Sequence, residues 1–525
     1  MSAKLFNMQR LALLNYIWRL SLPVLLTNLL QTSVTVIDTY MVGRLGPLAI
    51  AAVGMSNTLR LMLLITVLSV SGGAMSLVAQ AKGGRDRHRI SLVTRQGIVS
   101  GILLSILLAI VGFLLAPVLL SAMENGGQDE VIELSMQYLV IIFIGTPFLA
   151  LNIIMDRLMQ GAGDTFTPLL LTIGTVVLNV LFNYIFIFGW GAILSYGLVG
   201  AAIGTVLARV VVVIIGFIIF YSGRNVIQIL AGSWRPNWPM VKDILSIGVP
   251  SGIQGILRHT GGLVAIGIVT ATELGTYGAA VLAICWQVES LAAQPVVGLN
   301  VAATSLVGQA LGRWQPAAAF QQGNIMIFLG VLVMGLFVTP MILYAEEIIL
   351  LFDPSAHPKV LQGGISYFRI NTFFLPVTAV AIMITGTLRG AGDTQPAMIS
   401  TLIGRNLLTI FLAWWLALPL GMGAVGVWYG MVLGRIVDGL YMWWVWRQRK
   451  WLKVALEQTP LFRKHLKTLS AIDLEKYLTQ IRSVYMAIPK TVEVVRENSV
   501  LYKTPDQNIE VAFKDRSYTV LAEDN

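Results

Sequence analysis

The stretch DRLMQGAGDTFTP at residues 156–168 decides the fold, because the chain repeats it as LRGAGDTQP at residues 388–396. The aspartates of the two GAGDT copies lie 229 residues apart, and VAQAKG at Val78 has the same spacing from VGQALG at Val307. Segments that recur in the same order at one offset indicate an internal repeat. We therefore predict two copies of one unit, with each GAGDT ending one helix and capping the next.

The composition of the chain is that of a membrane protein. Of its 525 residues, 56% are hydrophobic and 12% are charged, and the mean hydropathy is +0.76. Uncharged stretches of about 20 residues, enough to cross a bilayer, recur over the first 447 residues. The basic residues behind the net charge of +10 lie at the ends of these stretches, so no nucleic-acid partner is expected. The lone Cys285 excludes disulfides and cysteine metal sites within the chain.

The predicted fold is an all-α polytopic membrane protein with twelve transmembrane helices in two pseudo-symmetric lobes of six. The predicted parts are a first lobe at residues 1–222, a cytoplasmic linker at 223–240, a second lobe at 241–450 and a cytoplasmic tail at 451–525. The predicted helices span residues 17–41, 49–79, 90–122, 131–159, 168–188, 197–221, 241–270, 278–310, 317–344, 365–388, 396–418 and 424–446.

The tail is predicted to be a small α+β appendage that packs on the inner face of the membrane domain. Residues 461–485 have helical spacing, whereas residues 492–502 and 509–520 alternate like the two strands of a hairpin.

Positive charge predicts the direction of the helices. Basic residues cluster before the first predicted helix, after the second, between the sixth and seventh, and after the twelfth, while the alternate loops hold mainly acids. By the positive-inside rule, both termini are cytoplasmic. Residues 1–19 lead into a full-length span, so no cleavable signal peptide is expected.

Two longer strings carry a resemblance to a known family. VIDTYMVGRLG occupies residues 36–46, and VESLAAQPVVGLNVAATSLVGQALG occupies residues 288–312. With the duplicated GAGDT unit, they resemble bacterial members of the MATE family (multidrug and toxic compound extrusion) over about residues 15–447. The resemblance implies two lobes around a V-shaped cavity and export of mostly cationic, amphipathic compounds in exchange for H+ or Na+. We expect a monomer in a bacterial inner membrane, with small organic cations or amphipathic metabolites and the lipid bilayer as partners.

Asp38 is the first candidate for coupling transport to a cation. It lies in the outer part of the first predicted helix, and an ionisable group inside a span is costly and usually functional. An apolar setting disfavours a charged carboxylate, so such a group can bind and release a proton during transport. The family resemblance also assigns cation coupling to this aspartate. The structural alternative is that Asp38 only hydrogen-bonds its neighbours and holds a helix kinked at Pro23.

Asn179 and Asn183 are the other cation-coupling candidates. They stand one turn apart on the fifth predicted helix and face the same side. Many proton-coupled sequences of the resembling family have an acid where the string LNVLFNYIFIFG places Asn183. A relay of two carboxylates is therefore not expected, and interhelical hydrogen bonding alone is the alternative for both asparagines.

The second lobe contains Glu289 and the pair Arg258-His259 within predicted spans. The sodium-coupled branch of the family typically has a glutamate at the position of Arg258, so H+ is favoured over Na+. We expect Arg258 to neutralise Glu289, because buried charges are normally paired, although Glu289 could also contact substrate or a proton. Arg209 and Arg435 are repeat equivalents at an offset of 226, and Asp438 is the expected partner of Arg435.

Aromatic, methionine and polar residues are candidates for the wall of a substrate cavity, because rings attract organic cations and methionine adapts to shape. Besides Glu289 and Arg258, the candidates are Gln287, Trp286, Tyr277, Met155 and Thr35. Packing in the core or at the membrane interface is the alternative for each of them.

Two other functions stay open. A flippase for lipid-linked precursors, from the same broad superfamily, would need a more cationic cavity for phosphates, and Arg209, Arg258 and Arg405 are compatible with it. A membrane scaffold with a partner-binding tail is the other. GGRDRHR at residues 83–89 resembles a loop motif of major-facilitator transporters, but topology already explains a basic loop there. No cofactor and no enzyme activity are expected, since neither HExxH nor a nucleophile motif occurs.

Overall fold

The computed structural model describes residues 2–123, 129–191, 194–223, 225–458, 492–495, 499–504, 507–512 and 519–522. Within these ranges the protein is almost entirely helical, and ten helices are long and apolar enough to cross a membrane. The chain is therefore a multi-pass membrane protein.

We refer to the first six helices as the first lobe. They are α1 (Ser2–Gly43), α2 (Pro47–Gly83), α3 (Arg87–Met123), α4 (Asp129–Gly161), α5 (Phe166–Phe188) and α6 (Gly197–Ser222). The second lobe consists of α7 (Trp238–Thr270), α8 (Thr276–Gly312), α9 (Pro316–Leu343), α10 (Ala345–Phe352), α11 (Pro358–Asn371), α12 (Leu375–Ala391), α13 (Gln395–Ser400), α14 (Thr409–Ala417) and α15 (Gly423–Gln448). The short α16 (Trp451–Gln458) follows it.

The second lobe is more broken than the six continuous helices that the sequence predicts. A 3-10 turn at Thr372–Phe374 separates α11 from α12. Pro376 explains this interruption, because it cannot donate a backbone hydrogen bond to the preceding turn. A π-helical segment at Thr401–Leu408 joins α13 to α14, and such segments are frequent at functional sites. We call Thr401–Leu408 the π segment.

Each GAGDT ends one helix and starts the next. Gly163 and Gly392 have φ values of +87° and +88°, in the left-handed region that favours glycine. Asp164 Oδ1 then accepts the backbone N–H of Thr167 at 3.0 Å, in the first turn of α5. This is the capping contact that the sequence predicts.

The two lobes meet through pairs of helices that the repeat relates, since α1 packs on α8 and α2 packs on α7. A Cβ added at Gly73 of α2 would overlap the carbonyl oxygen of Ile244 on α7. A Cβ at Gly248 of α7 would likewise overlap the carbonyl oxygen of Ser69 on α2. Glycine thus brings the two backbones into direct contact, as is common between helices in lipid.

Four short strands lie in the tail. β1 (Val492–Val495) pairs antiparallel with β4 (Thr519–Ala522), and β2 (Ser499–Thr504) pairs antiparallel with β3 (Gln507–Ala512). The predicted two-stranded hairpin is therefore divided into two pairs. The helix predicted at residues 461–485 lies outside the described residues.

Candidate functional site

A chain of polar side chains connects three helices of the first lobe. Asn183 of α5 donates through Nδ2 to Asp38 Oδ1 of α1, at 2.7 Å. The same nitrogen lies 3.4 Å from Asn179 Oδ1, and Asn179 Nδ2 donates to Thr205 Oγ1 of α6 at 3.1 Å. Both asparagines are fully buried, whereas Asp38 is half-buried. The three predicted cation-coupling residues therefore lie in one hydrogen-bonded network, which we call the Asp38 network.

Two arginines add positive charge to the Asp38 network. Arg209 of α6 and Arg60 of α2 interact electrostatically with the Asp38 carboxylate, and Arg209 Nη1 donates to the Thr205 carbonyl at 3.1 Å. Within the described ranges, neither guanidinium forms an ion pair with Asp38. Arg60 is not among the residues predicted from the sequence, although a lone arginine inside the predicted helix at 49–79 is a usable signal.

The second lobe contains a buried ion pair between α8 and α15. Arg435 Nη2 lies 2.8 Å from Glu289 Oε2, and Arg435 Nη1 lies 3.1 Å from Glu289 Oε1. The Tyr367 hydroxyl donates to Glu289 Oε1 at 2.9 Å. A two-point contact of this kind is the strong form of an arginine–carboxylate pair.

Two predicted pairings in the second lobe are wrong. Glu289 pairs with Arg435 rather than with Arg258, because Arg435 projects from α15 directly towards α8. Asp438, the expected partner of Arg435, instead accepts a hydrogen bond from the Ser400 hydroxyl of α13. Arg435 and Asp438 are about one helical turn apart on α15 but contact different helices, α8 and α13.

A cavity of about 500 Å³ opens beside this ion pair, and we call it the second-lobe cavity. All the residues that line it belong to the second lobe. Its apolar wall includes Ile266, Trp286, Met334, Leu375 and Met431. Its charged or titratable wall consists of Arg258, His259, Glu289, Arg405 and Arg435.

A symmetric set of hydrogen bonds joins the lobes at the end that carries the basic loops. Ser305 Oγ and Gln309 Nε2 of α8 donate to the carbonyl oxygen of Gly161, at 3.1 and 3.4 Å. The repeat-related residues make the same bonds in the opposite direction. Ser76 Oγ and Gln80 Nε2 of α2 donate to the carbonyl oxygen of Gly390, at 3.5 and 3.1 Å. Both acceptors are the first glycine of a GAGDT copy. We call these six residues the cytoplasmic contact, because the positive-inside rule predicts that this end faces the cytoplasm. The GAGDT sequence alone did not reveal this contact.

The comparison with protein families agrees with this duplicated architecture. The family model described as MatE matches residues 23–185 and residues 250–415, one segment in each lobe. The chain belongs to the MATE family. The membership that the GAGDT copies and the α8 string predict is thus confirmed.

Bacterial relatives of this MATE protein cover most of its length. It is 28% identical over 455 residues to a probable multidrug resistance protein NorM of Thermotoga maritima, covering 86% of this chain and 95% of that one. It is 29% identical over 437 residues to a NorM of Rhizobium meliloti, covering 81% and 91%. Among solved structures, a MATE protein in complex with MaL6 is 25% identical, with a TM-score of 0.76 over 84% of this chain and 97% of that one.

Three of the residues predicted to line a substrate cavity in this MATE protein border the second-lobe cavity, namely Arg258, Trp286 and Glu289. Arg405 was predicted from the sequence only as a residue compatible with a flippase. The π segment turns it towards the same cavity.

The other four candidates do not line the second-lobe cavity. Gln287 is exposed, on the side of α8 opposite to the buried Cys285. Tyr277 stacks on His357 with 4.3 Å between ring centroids. Met155 is buried in the core of the first lobe, and Thr35 is exposed on α1. Helical spacing alone could not distinguish these environments.

Proposed function

We propose that this protein is a secondary active efflux transporter that exports amphipathic organic compounds in exchange for H+, with Asp38 as the proton carrier. The multidrug resistance names of its bacterial relatives support the transport class. The 2.7 Å contact between Asn183 Nδ2 and Asp38 Oδ1 supports the assignment of Asp38. It gives the carboxylate a partner that can distinguish its two protonation states.

The coupling step follows from hydrogen-bond chemistry. An ionised Asp38 only accepts hydrogen bonds, and the Asn183 amide N–H is a suitable donor. A protonated Asp38 carries an O–H donor, so its contact with the same N–H weakens while the Asn183 carbonyl oxygen becomes a possible acceptor. Protonation therefore rearranges the contact between α1 and α5.

The first helix contains a weak point at which it can respond. Pro23 has no backbone N–H, so the carbonyl of Arg19 lacks its helical donor. The Thr165 hydroxyl of the first GAGDT donates to this carbonyl at 3.3 Å. A rearrangement of α1 at Asp38 can thus reach the segment that also supplies the cytoplasmic contact.

The cytoplasmic contact is the closed gate in this proposal. Its four donors lie on α2 and α8, and each acceptor belongs to the opposite lobe. A net hydrogen bond contributes only about 1 kcal/mol, so the contact can open without a large cost. The substrate would leave the second-lobe cavity in this state and enter after the lobes rock apart at the cytoplasmic end.

The membrane potential makes H+ exchange an adequate energy source. One positive charge that enters down 100 mV yields about 2.3 kcal/mol. For an uncharged substrate, this corresponds to a roughly 50-fold outward concentration gradient per proton before a pH gradient is added.

The proposal is tested by flux measurements on the purified full-length protein in proteoliposomes, with either a pH gradient or an Na+ gradient imposed over a panel of organic compounds. We expect a pH gradient to drive uphill movement of at least one compound, and an Na+ gradient of equal size to drive none. Movement that follows Na+ alone would contradict H+ coupling.

A further inference from the structure

The second-lobe cavity carries more positive charge than the carboxylate of Glu289 can neutralise. Arg258, Arg405 and Arg435 face one carboxylate, that of Glu289. Arg435 occupies both oxygens of this carboxylate. With His259 neutral, the wall of the cavity therefore has a net charge of +2, which belongs to Arg258 and Arg405.

No acid of the described ranges neutralises these two arginines by direct contact. The carboxylate of Asp438 interacts with both at longer range. It accepts the hydrogen bond of Ser400 instead of forming an ion pair with either guanidinium. Arg258 is exposed to the open cavity and Arg405 is half-buried, so a ligand in the cavity can reach both.

The π segment brings Arg405 to the same cavity wall as Arg258. Asn406 Nδ2 donates to the carbonyl oxygen of Leu257 at 2.7 Å. A Cβ at Gly261 would overlap Asn406 Oδ1, so glycine there permits the close approach of α7 and the π segment. This contact brings Arg258, which follows Leu257, to the level of Arg405, which precedes Asn406.

The repeat shows that the fold itself does not require these arginines. At the offset of 227, which aligns Pro23 with Pro250, the first lobe has Gln31 where the second has Arg258. At the offset of 228, which aligns Pro168 with Pro396, it has Val177 where the second has Arg405. The first lobe forms α1 and α5 with these uncharged residues and without a π segment. An unpaired charge in a membrane span is costly and usually functional, so a role in binding explains the two arginines better than a role in folding.

We propose that the second-lobe cavity binds the anionic group of an amphipathic organic acid or zwitterion, a carboxylate or a phosphate, between Arg258 and Arg405. The planar guanidinium forks match such groups, while Trp286, Ile266 and Met334 contact the apolar body of the ligand. This inference rests on the proposed transport function and specifies its substrate class. It differs from the mostly cationic compounds that the family resemblance predicts.

Equilibrium binding to the full-length protein in nanodiscs tests the proposal with probes that share one ring system. The probes are 1-naphthaleneacetate, 1-naphthaleneacetamide, 1-naphthylmethylammonium and 1-naphthyl phosphate. We expect either anion to bind at least about tenfold more tightly than the amide and the ammonium compound. Arg258→Gln or Arg405→Gln should weaken anion binding by about 10- to 100-fold and leave the affinity for the amide probe unchanged.

The controls separate charge, geometry and folding. Arg369→Gln removes an exposed arginine of the same lobe and should leave the affinity for every probe unchanged. Arg258→Lys keeps the charge but loses the fork, so it should recover only part of the anion affinity. If Arg405→Gln does not fold, Arg258→Gln still decides the question.

Two results would overturn the proposal: tightest binding of the ammonium probe, or anion affinities within twofold of wild type in Arg258→Gln. Failure here is distinguishable from failure of H+ exchange, because binding is measured without a gradient. Probe binding that does not depend on an anionic group, together with intact pH-driven export, would refute only this inference. Arginine-dependent anion binding without pH-driven export would refute only the proposed function.

Discussion

At the scale of single residues, Asn183 determines the surroundings of the Asp38 carboxylate. Its Nδ2 donates to Asp38, while its Oδ1 is buried and makes no hydrogen bond within the described ranges. That oxygen lies against Gly204 of α6, where an added Cβ would overlap it. The absence of a side chain at Gly204 therefore leaves the space that Asn183 occupies beside Asp38.

We expect Gly204→Ala to break the contact between Asn183 and Asp38. The added methyl must displace Asn183 or separate α5 from α6, at a cost of about 1–3 kcal/mol. Substrate export driven by a pH gradient should fall at least several-fold in proteoliposomes, and thermal unfolding in detergent should shift to lower temperature. Gly174→Ala on α5 is the matched control, because its Cβ would meet no atom within 4 Å. Equal export by the two variants would show that the Asn183 contact is dispensable.

The sequence predicted the Asp38 network better than the second-lobe ion pair. Asp38, Asn179 and Asn183 could be grouped because the asparagines share one helix face and the resemblance places them near the aspartate. The pairing of Glu289 with Arg435 joins residues 146 positions apart, and local spacing cannot identify such a partner. The choice between Arg258 and Arg435 depended on how α7 and α15 turn about their axes.

At the scale of helices, the cytoplasmic contact depends on close approach of α2 and α8. A Cβ at Gly312 of α8 would overlap the carbonyl oxygen of Gln80, and a Cβ at Gly83 of α2 would overlap that of Gln309. The lobes can therefore close at this end only where both positions are glycine. Neither constraint is visible in the string VGQALG alone.

We expect Gly312→Ala to hold the cytoplasmic end open, since a backbone oxygen cannot move aside as a flexible side chain can. The measurement is the distance between spin labels at Arg87 and Gln315, which are exposed and lie in different lobes, with Cys285 replaced by serine. The longer-distance population should increase in Gly312→Ala and export should fall several-fold. Gly335→Ala, which meets no atom within 4 Å, should match the wild type. An unchanged distance distribution in Gly312→Ala would contradict the gating role.

The elements show where sequence patterns stop being sufficient. Apolar length predicts long membrane helices well, because one bilayer thickness applies to all of them. The π segment escaped prediction because a π turn differs from an α turn in the spacing of its backbone hydrogen bonds, which apolar length does not reveal. Arg405 was consequently left out of the predicted cavity wall.

At the scale of the whole molecule, the two lobes share a frame and differ in charge. The cytoplasmic contact repeats residue for residue between the lobes, as expected for a gate that both halves must close. Arg209 and Arg435 repeat, but the charges around them do not, since the first lobe has Asp38 with two asparagines and the second has Arg258 and Arg405. The duplication was readable from the GAGDT copies. The proposed division of labour between a proton site and a substrate cavity rests on the three-dimensional arrangement.

The most direct test of the central claim is substrate-triggered proton movement through Asp38→Asn in proteoliposomes, followed with an internal pH indicator. We expect the variant to fold and to lose proton movement, because an amide keeps the shape of the side chain but cannot exchange a proton. Asp353→Asn, in the loop before α11, should behave as wild type. Undiminished proton exchange by folded Asp38→Asn would contradict the account.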